Sequence, residues 1–268
     1  KIYWNNFPIA KLSIGNDYLN PNFDLIVDDT IEQKHKNTLS EFINKWLQNK
    51  IGTVLKSLID LKNLKEKNSS IKALSYQLYE SNGVLKREQV SEYLNALGQN
   101  ERKILRDLGV KFGRYHVFLY QLIKPDAVSL RTLLWKNFHQ KYLNLKPPTF
   151  GLNFLDDKEI KNKNFMLLCG FEKFDTLFVR IDILERLFMQ IINSKENKEI
   201  KVVPQMLNLL GCSKENFIKL LHKMGYKTFN KSEETYFKYN PIKKSKKFST
   251  KKISNENPFK ILKNLNLG

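Results

Sequence analysis

The sequence predicts a mainly helical α+β fold. A helical bundle carries a small N-terminal β-module and, toward the C-terminus, a helix-turn-helix or winged-helix-like unit. Three observations predict it. Residues 1–28 are short apolar runs separated by turn residues, as strands are. From Leu39 to Ile59, apolar residues recur at three and four, the spacing of one helix face. Two helical runs meet tightly at Gly211-Cys212, and an aromatic stretch after Gly225 reads as a strand.

In chain order, Ile2–Trp4, Pro8–Ile14 and Asp24–Asp28 read as strands, with Asn5-Asn6 as a turn. This piece is acidic, with Asp17, Asp24 and Asp28 against Lys1 and Lys11. Asp29-Thr30 can cap the long helix that follows. Its stripe of Leu39, Phe42, Ile43, Trp46, Leu47, Ile51, Val54, Leu55, Leu58 and Ile59 is expected in the core, so Phe42 and Trp46 are read as packing residues. Further helices are expected over about 70–80, 86–97 and 100–109, each stopped by glycine or polar residues.

Val110–Leu122 is aromatic and β-branched, and its periodicity fits a strand or a buried helix. Pro125-Asp126 starts a helix, and Pro147-Pro148 marks a boundary. Phe165–Gly170 and Thr176–Val179 suggest a hairpin around Glu172-Lys173, and Asp182 begins a helix. Ser213 is a good N-cap for the helix to Met224. The predicted units are therefore a β-module over 1–30, a bundle over 31–146, a small α+β segment over 147–200, a helix-turn-helix-like unit over 201–230, and a basic tail over 231–268. The tail is expected to be disordered until bound, with a short docking motif at Pro258–Leu265.

The formal net charge is +19, which favours a polyanionic partner. Part of it is compositional, since 39 Lys and 28 Asn are what AT-rich coding produces. The seven Arg are more informative, because the planar guanidinium grips phosphate. Two distant cysteines, Cys169 and Cys212, give no disulfide framework, so a reducing, cytoplasmic setting is expected. No apolar run reaches the ~18 residues that cross a bilayer, so no membrane partner is expected.

The sequence holds no phosphate loop of the Gly-x-x-x-x-Gly-Lys-Ser/Thr kind and no Gly-x-Ser-x-Gly elbow. Its four histidines and two cysteines show no metal-ligand spacing. Asp182 and Glu185 have the spacing of a capping box, not of a catalytic pair. No catalytic residue, cofactor ligand or metal ligand is therefore assigned. The candidate nucleic-acid contacts are Arg114, Tyr115, Lys124, Arg131 and Arg180, with Lys214, Lys219 and Lys223 on the last predicted helix. Cations beside Tyr115 and Tyr120 fit single-strand binding, which combines charge with stacking.

Several runs carry a family resemblance. They are Leu108–Pro125 with Leu130–Trp135, then Val179–Leu187, then Val203–Ser213 with Gly225-Tyr226, the opening Ile2–Leu12 and the terminal Asn257–Leu262. In that order they resemble the region after the motor domains in alphaproteobacterial superfamily 2 helicases, relatives of the Suv-type mitochondrial degradosome helicase. The resemblance implies a parent that hydrolyses ATP with magnesium on two RecA-like domains, which would be partners in cis. None of that ATPase site lies in this sequence. Many family Arg positions are Lys here. The expected function is a nucleic-acid-binding accessory region guiding single-stranded RNA or DNA. The rivals are a stand-alone winged-helix-type binder and a scaffold that docks a protein through the C-terminal motif.

Overall fold

The computed structural model describes residues 1–28, 30–65, 68–140, 142–159, 162–194, 199–231 and 233–240. It is a mixed α+β structure with small antiparallel sheets. β1 (Ile2–Trp4), β2 (Phe7–Asp17) and β3 (Asn20–Leu25) form an antiparallel meander. Asn5 and Asn6 turn the first corner with φ of 44° and 68°, a region asparagine tolerates. Ile2, Ala10 and Ile43 form the buried seam against the first helix.

That helix, α1 (Gln33–Val54), starts at Glu32 without a side-chain cap; Thr30 lies outside it, and Asp29 lies outside the described residues. It breaks at Leu55 before α2 (Lys56–Lys62). Ile43, Leu47, Ile51, Leu55 and Leu58 are buried, as the periodicity predicts. Phe42 and Trp46 are not core residues: they are 48% and 45% exposed. The apolar stripe is wider than the surface available to bury it, so its outer edge faces solvent beside Trp4.

Among the described residues, one plan recurs three times from residue 69 onward. The first copy is α3 (Ser69–Glu80), β4 (Val84–Lys86), a 3-10 turn over Arg87–Val90, α4 (Ser91–Ala96), α5 (Gln99–Asp107), β5 (Val110–Phe112) and β6 (His116–Leu119). The second is α6 (Pro125–His139), β7 (Phe154–Asp156), α7 (Lys163–Leu168), β8 (Phe171–Phe174) and β9 (Leu177–Arg180). The third is α8 (Ile181–Asn193), β10 (Ile200–Lys201), α9 (Pro204–Leu210), α10 (Lys214–Lys223), β11 (Tyr226–Lys231) and β12 (Glu234–Tyr239). The sheet orders are β4-β6-β5, β7-β9-β8 and β10-β12-β11, so the last strand of each copy is central.

The copies share one joint. Gly109, Gly170 and Gly225 end α5, α7 and α10 with φ of 91°, 86° and 87°, which favours glycine. Each donates its N–H three residues back, to Arg106, Leu167 and His222 at 2.9, 2.9 and 3.1 Å. Each glycine carbonyl then accepts the N–H of the residue just past the third strand: Tyr120 at 3.3 Å, Ile181 at 2.8 Å and Asn240 at 3.0 Å. One residue thus fixes the helix end, the hairpin entry and the exit.

Several local expectations change. Residues 86–97 hold a strand end and a 3-10 turn before the short α4, because Leu85 and Val90 are buried on β4 and in the turn. Phe165–Leu168 is helical, capped by the Asn162 side chain, so the hairpin turns at Asp175-Thr176. Asp175 takes the positive φ of that turn, 63°. The start of the basic tail expected over 231–268 is sheet instead, because Glu234–Tyr239 pairs with both β10 and β11; residues 241–268 lie outside the described residues. The docking motif at 258–265 lies outside the described residues. Ser213 caps α10 as expected, its hydroxyl accepting the Asn216 N–H at 3.2 Å.

Candidate nucleic-acid interface

The β5–β6 turn, Gly113–Tyr115, projects from the first copy against α8 of the third. Glu185 on α8 holds it. Its carboxylate accepts the N–H groups of Tyr115 and His116 at 2.9 Å each, and that of Arg114 as well. A carboxylate receiving three backbone donors fixes a turn firmly. The capping-box reading of Asp182 and Glu185 is thereby replaced: α8 has no side-chain cap, and Glu185 serves another copy. Gly113 has no Cβ because one would sit 2.3 Å from the Glu185 carboxyl carbon.

Beneath the turn lies a buried polar junction of all three copies. Glu172 on β8, 3% exposed, accepts from Lys86 Nζ at 2.7 Å and meets His116 Nε2 at 2.9 Å. His116 Nδ1 lies 3.5 Å from Glu185, ion-pair distance without hydrogen-bond geometry. Burial pulls the His116 pKa down, but the bond to Glu172 and the negative charges of Glu172 and Glu185 outweigh it, and the net shift is upward. Burial likewise raises Glu172, and His116 with Lys86 more than offsets it, leaving the carboxylate below its ordinary value.

The fixed turn aims Arg114 outward, and three clefts meet at it. The largest, about 920 Å3, brings Arg87, Lys111, Arg114 and Arg186 together with Phe112 and Tyr120. Its acids are engaged elsewhere: Asp182 pairs with Arg180 at 2.7 and 3.0 Å, and Glu185 holds the turn. Among the described residues, Lys111, Arg114 and Arg186 form no ion pair with a carboxylate. The Arg114 guanidinium lies over the Phe188 ring, 5.6 Å from its centroid. The cleft is a cationic, aromatic-edged concavity, the chemistry that takes phosphates.

Comparison with protein-family models, with curated proteins and with solved structures found no match for this chain.

The remaining predicted contacts scatter. Tyr115 is half-buried, its ring edge-on to Phe188 at 5.4 Å, so it shapes the clefts rather than standing free. Lys124 sits at the start of α6 in a separate cleft with Asp60, Asp107 and Asp126. Arg131 is wholly buried, donating to the carbonyls of Asn82, Leu122 and Leu168 at 2.6, 2.5 and 2.9 Å. It ties the first and second copies together and has no surface to offer a phosphate. Arg180 is committed to Asp182. Lys214 and Lys219 are exposed on α10, while Lys223 pairs with Asp175 of the second copy at 2.7 Å.

Sequence reasoning named Arg114 but not Arg87, Lys111 or Arg186 as its neighbours. The signal was the scarcity of arginine in a lysine-rich chain, which already singled out Arg87 and Arg186. Among the described residues, no group of three or more His, Cys, Asp and Glu is placed to hold a metal. No helix there is long and apolar enough to cross a membrane.

Proposed function

We propose that this chain is a nucleic-acid-binding region built of three successive winged-helix units, holding a single strand across the Arg114 cleft. The order helix, strand, helix, hairpin, with the last strand central, is the winged-helix plan. The observation that carries the function is the clustering of Arg87, Lys111, Arg114 and Arg186 in one cleft whose acids are already paired. The exposed ring of Tyr120 in the cleft lining favours an unpaired strand, whose bases can stack. In this reading the chain is the accessory region of a superfamily 2 helicase of the Suv type, the family its motifs resemble. ATP and magnesium would then act on motor domains that hold no residue of this sequence.

Competition tests the reading. A labelled single-stranded oligonucleotide should bind the full chain and be displaced far better by unlabelled single strand than by duplex of the same sequence. Absence of binding, or equal displacement by both, contradicts it. Preference for one duplex sequence would instead mark a stand-alone winged-helix regulator.

A second reading, a protein-docking surface, is favoured by one observation. Tyr3, Trp4, Phe7, Phe42 and Trp46 are 61%, 52%, 73%, 48% and 45% exposed, and Trp4 meets Phe42 edge-on at 5.3 Å. Replacing Phe42 and Trp46 with Ala should then abolish partner binding and leave oligonucleotide binding intact.

A further inference from the structure

The adjoining cleft of about 560 Å3, which shares Arg114 and Phe188 with the cationic one, differs from it in character. It is walled by Phe188, Ile192, Met224, Tyr226 and Tyr239, with the exposed Arg114 also in its lining. Tyr239 and Ile192 stand 60% and 48% exposed at its rim. The Tyr226 and Tyr239 rings lie 5.4 Å apart at 62°, and Tyr115 lines the slot beside them. The result is an apolar slot with phenolic groups at hand.

We infer that this slot receives one nucleobase of the bound strand while Arg114 holds the adjoining phosphate. The inference rests on the single-strand reading and deepens it. A base has an apolar face and a polar edge, which suits aromatic walls with phenol groups beside them. Arg114 and Phe188 line both this slot and the cationic cleft, so the two adjoin and one strand can reach the phosphate-binding cations and the slot together. A purely apolar protein side chain would gain nothing from that adjacent positive charge.

The test uses the full chain and two oligonucleotides of equal length, one bearing bases and one with every base removed. Wild type should bind the base-bearing strand more tightly. Tyr239→Ala should weaken that strand roughly five- to a hundredfold, the usual effect of removing a stacking ring. The same variant should leave the abasic strand unchanged, and Tyr239→Phe should restore tight binding. Tyr239 is exposed, so its loss leaves the core intact. Equal loss on both strands, or no loss on either, overturns the slot while the cationic cleft stands. Failure of wild type to bind either strand overturns both readings together.

Discussion

His116 on β6 and Glu172 on β8 meet with Nε2 2.9 Å from Oε2, and neither exceeds 3% exposure. Two copies of the repeated unit are thus joined by a buried charged contact, and Glu185 brings in the third. Removing Glu172 leaves the buried His116 with only Glu185, 3.5 Å away, to offset its charge. Glu172→Gln should therefore lower stability by about 3 kcal/mol, read by chemical denaturation. An unchanged midpoint would mean the junction contributes little.

The same pair sets a pH dependence. The folded-state pKa of His116 is raised, so its contribution is complete below its unfolded value of 6.5 and fades as pH rises through the folded value. That of Glu172 is lowered, so its contribution is complete above 4.5 and fades as pH falls through the folded value. Both hold in the weakly acidic range between those values. Thermal melts of wild type and His116→Gln should differ more near pH ~6 than near pH ~9. A gap that widens toward alkaline pH would contradict the raised value.

Gly113→Ala offers a cleaner probe of the turn. The new Cβ would displace the Glu185 carboxylate, releasing three N–H groups. Glu185→Gln keeps the shape and weakens those bonds by removing their charge. Oligonucleotide affinity should fall in both variants, more in Gly113→Ala, because Arg114 loses its fixed direction. Affinity at the wild-type level in Gly113→Ala would show that the turn does not position Arg114.

Arg131→Lys should behave in the opposite way. A lysine cannot span the three carbonyls that the guanidinium reaches. Burial already pulls the Arg131 pKa down to about 10, so the cation stays charged near neutrality and needs those acceptors. Loss of their geometry should cost about 3 kcal/mol, seen as a melting temperature lower by roughly 2–4 °C per kcal/mol. Affinity measured well below the melt should not change. Selective loss of affinity with normal stability would make Arg131 a contact after all.

The sequence reading reached the helical character, the N-terminal strands, the Ser213 cap and the paired helices around Gly211, because each has a local signal. It missed the threefold plan, although a trace was present. Leu108-Gly109-Val110, Cys169-Gly170-Phe171 and Met224-Gly225-Tyr226 share one pattern of glycine between apolar residues at a helix-to-strand joint. The rest of each copy has diverged, and α7 has only six residues, too few for a periodic signal. Phe42 and Trp46 show the reverse limit: periodicity gives a face, and tertiary packing decides how much of it is covered. Arg131 had the look of a surface cation until the fold placed it between copies. In the site, Arg114 was legible as one arginine among aromatics. Its companions Arg87 and Arg186, 27 and 72 positions away, come together only through Glu185 and the junction beneath it.

The most direct test of the Arg114 cleft is the salt dependence of single-strand binding by the full chain. For wild type, log affinity should fall linearly with log salt between ~50 and ~200 mM, with a slope near −0.7 for each phosphate neutralised. Replacing Arg87, Lys111, Arg114 and Arg186 with Ala should weaken binding and flatten that slope by about 3. Replacing Lys214 and Lys219 should flatten it less. A slope unchanged in the four-residue variant would place the strand elsewhere and contradict the account.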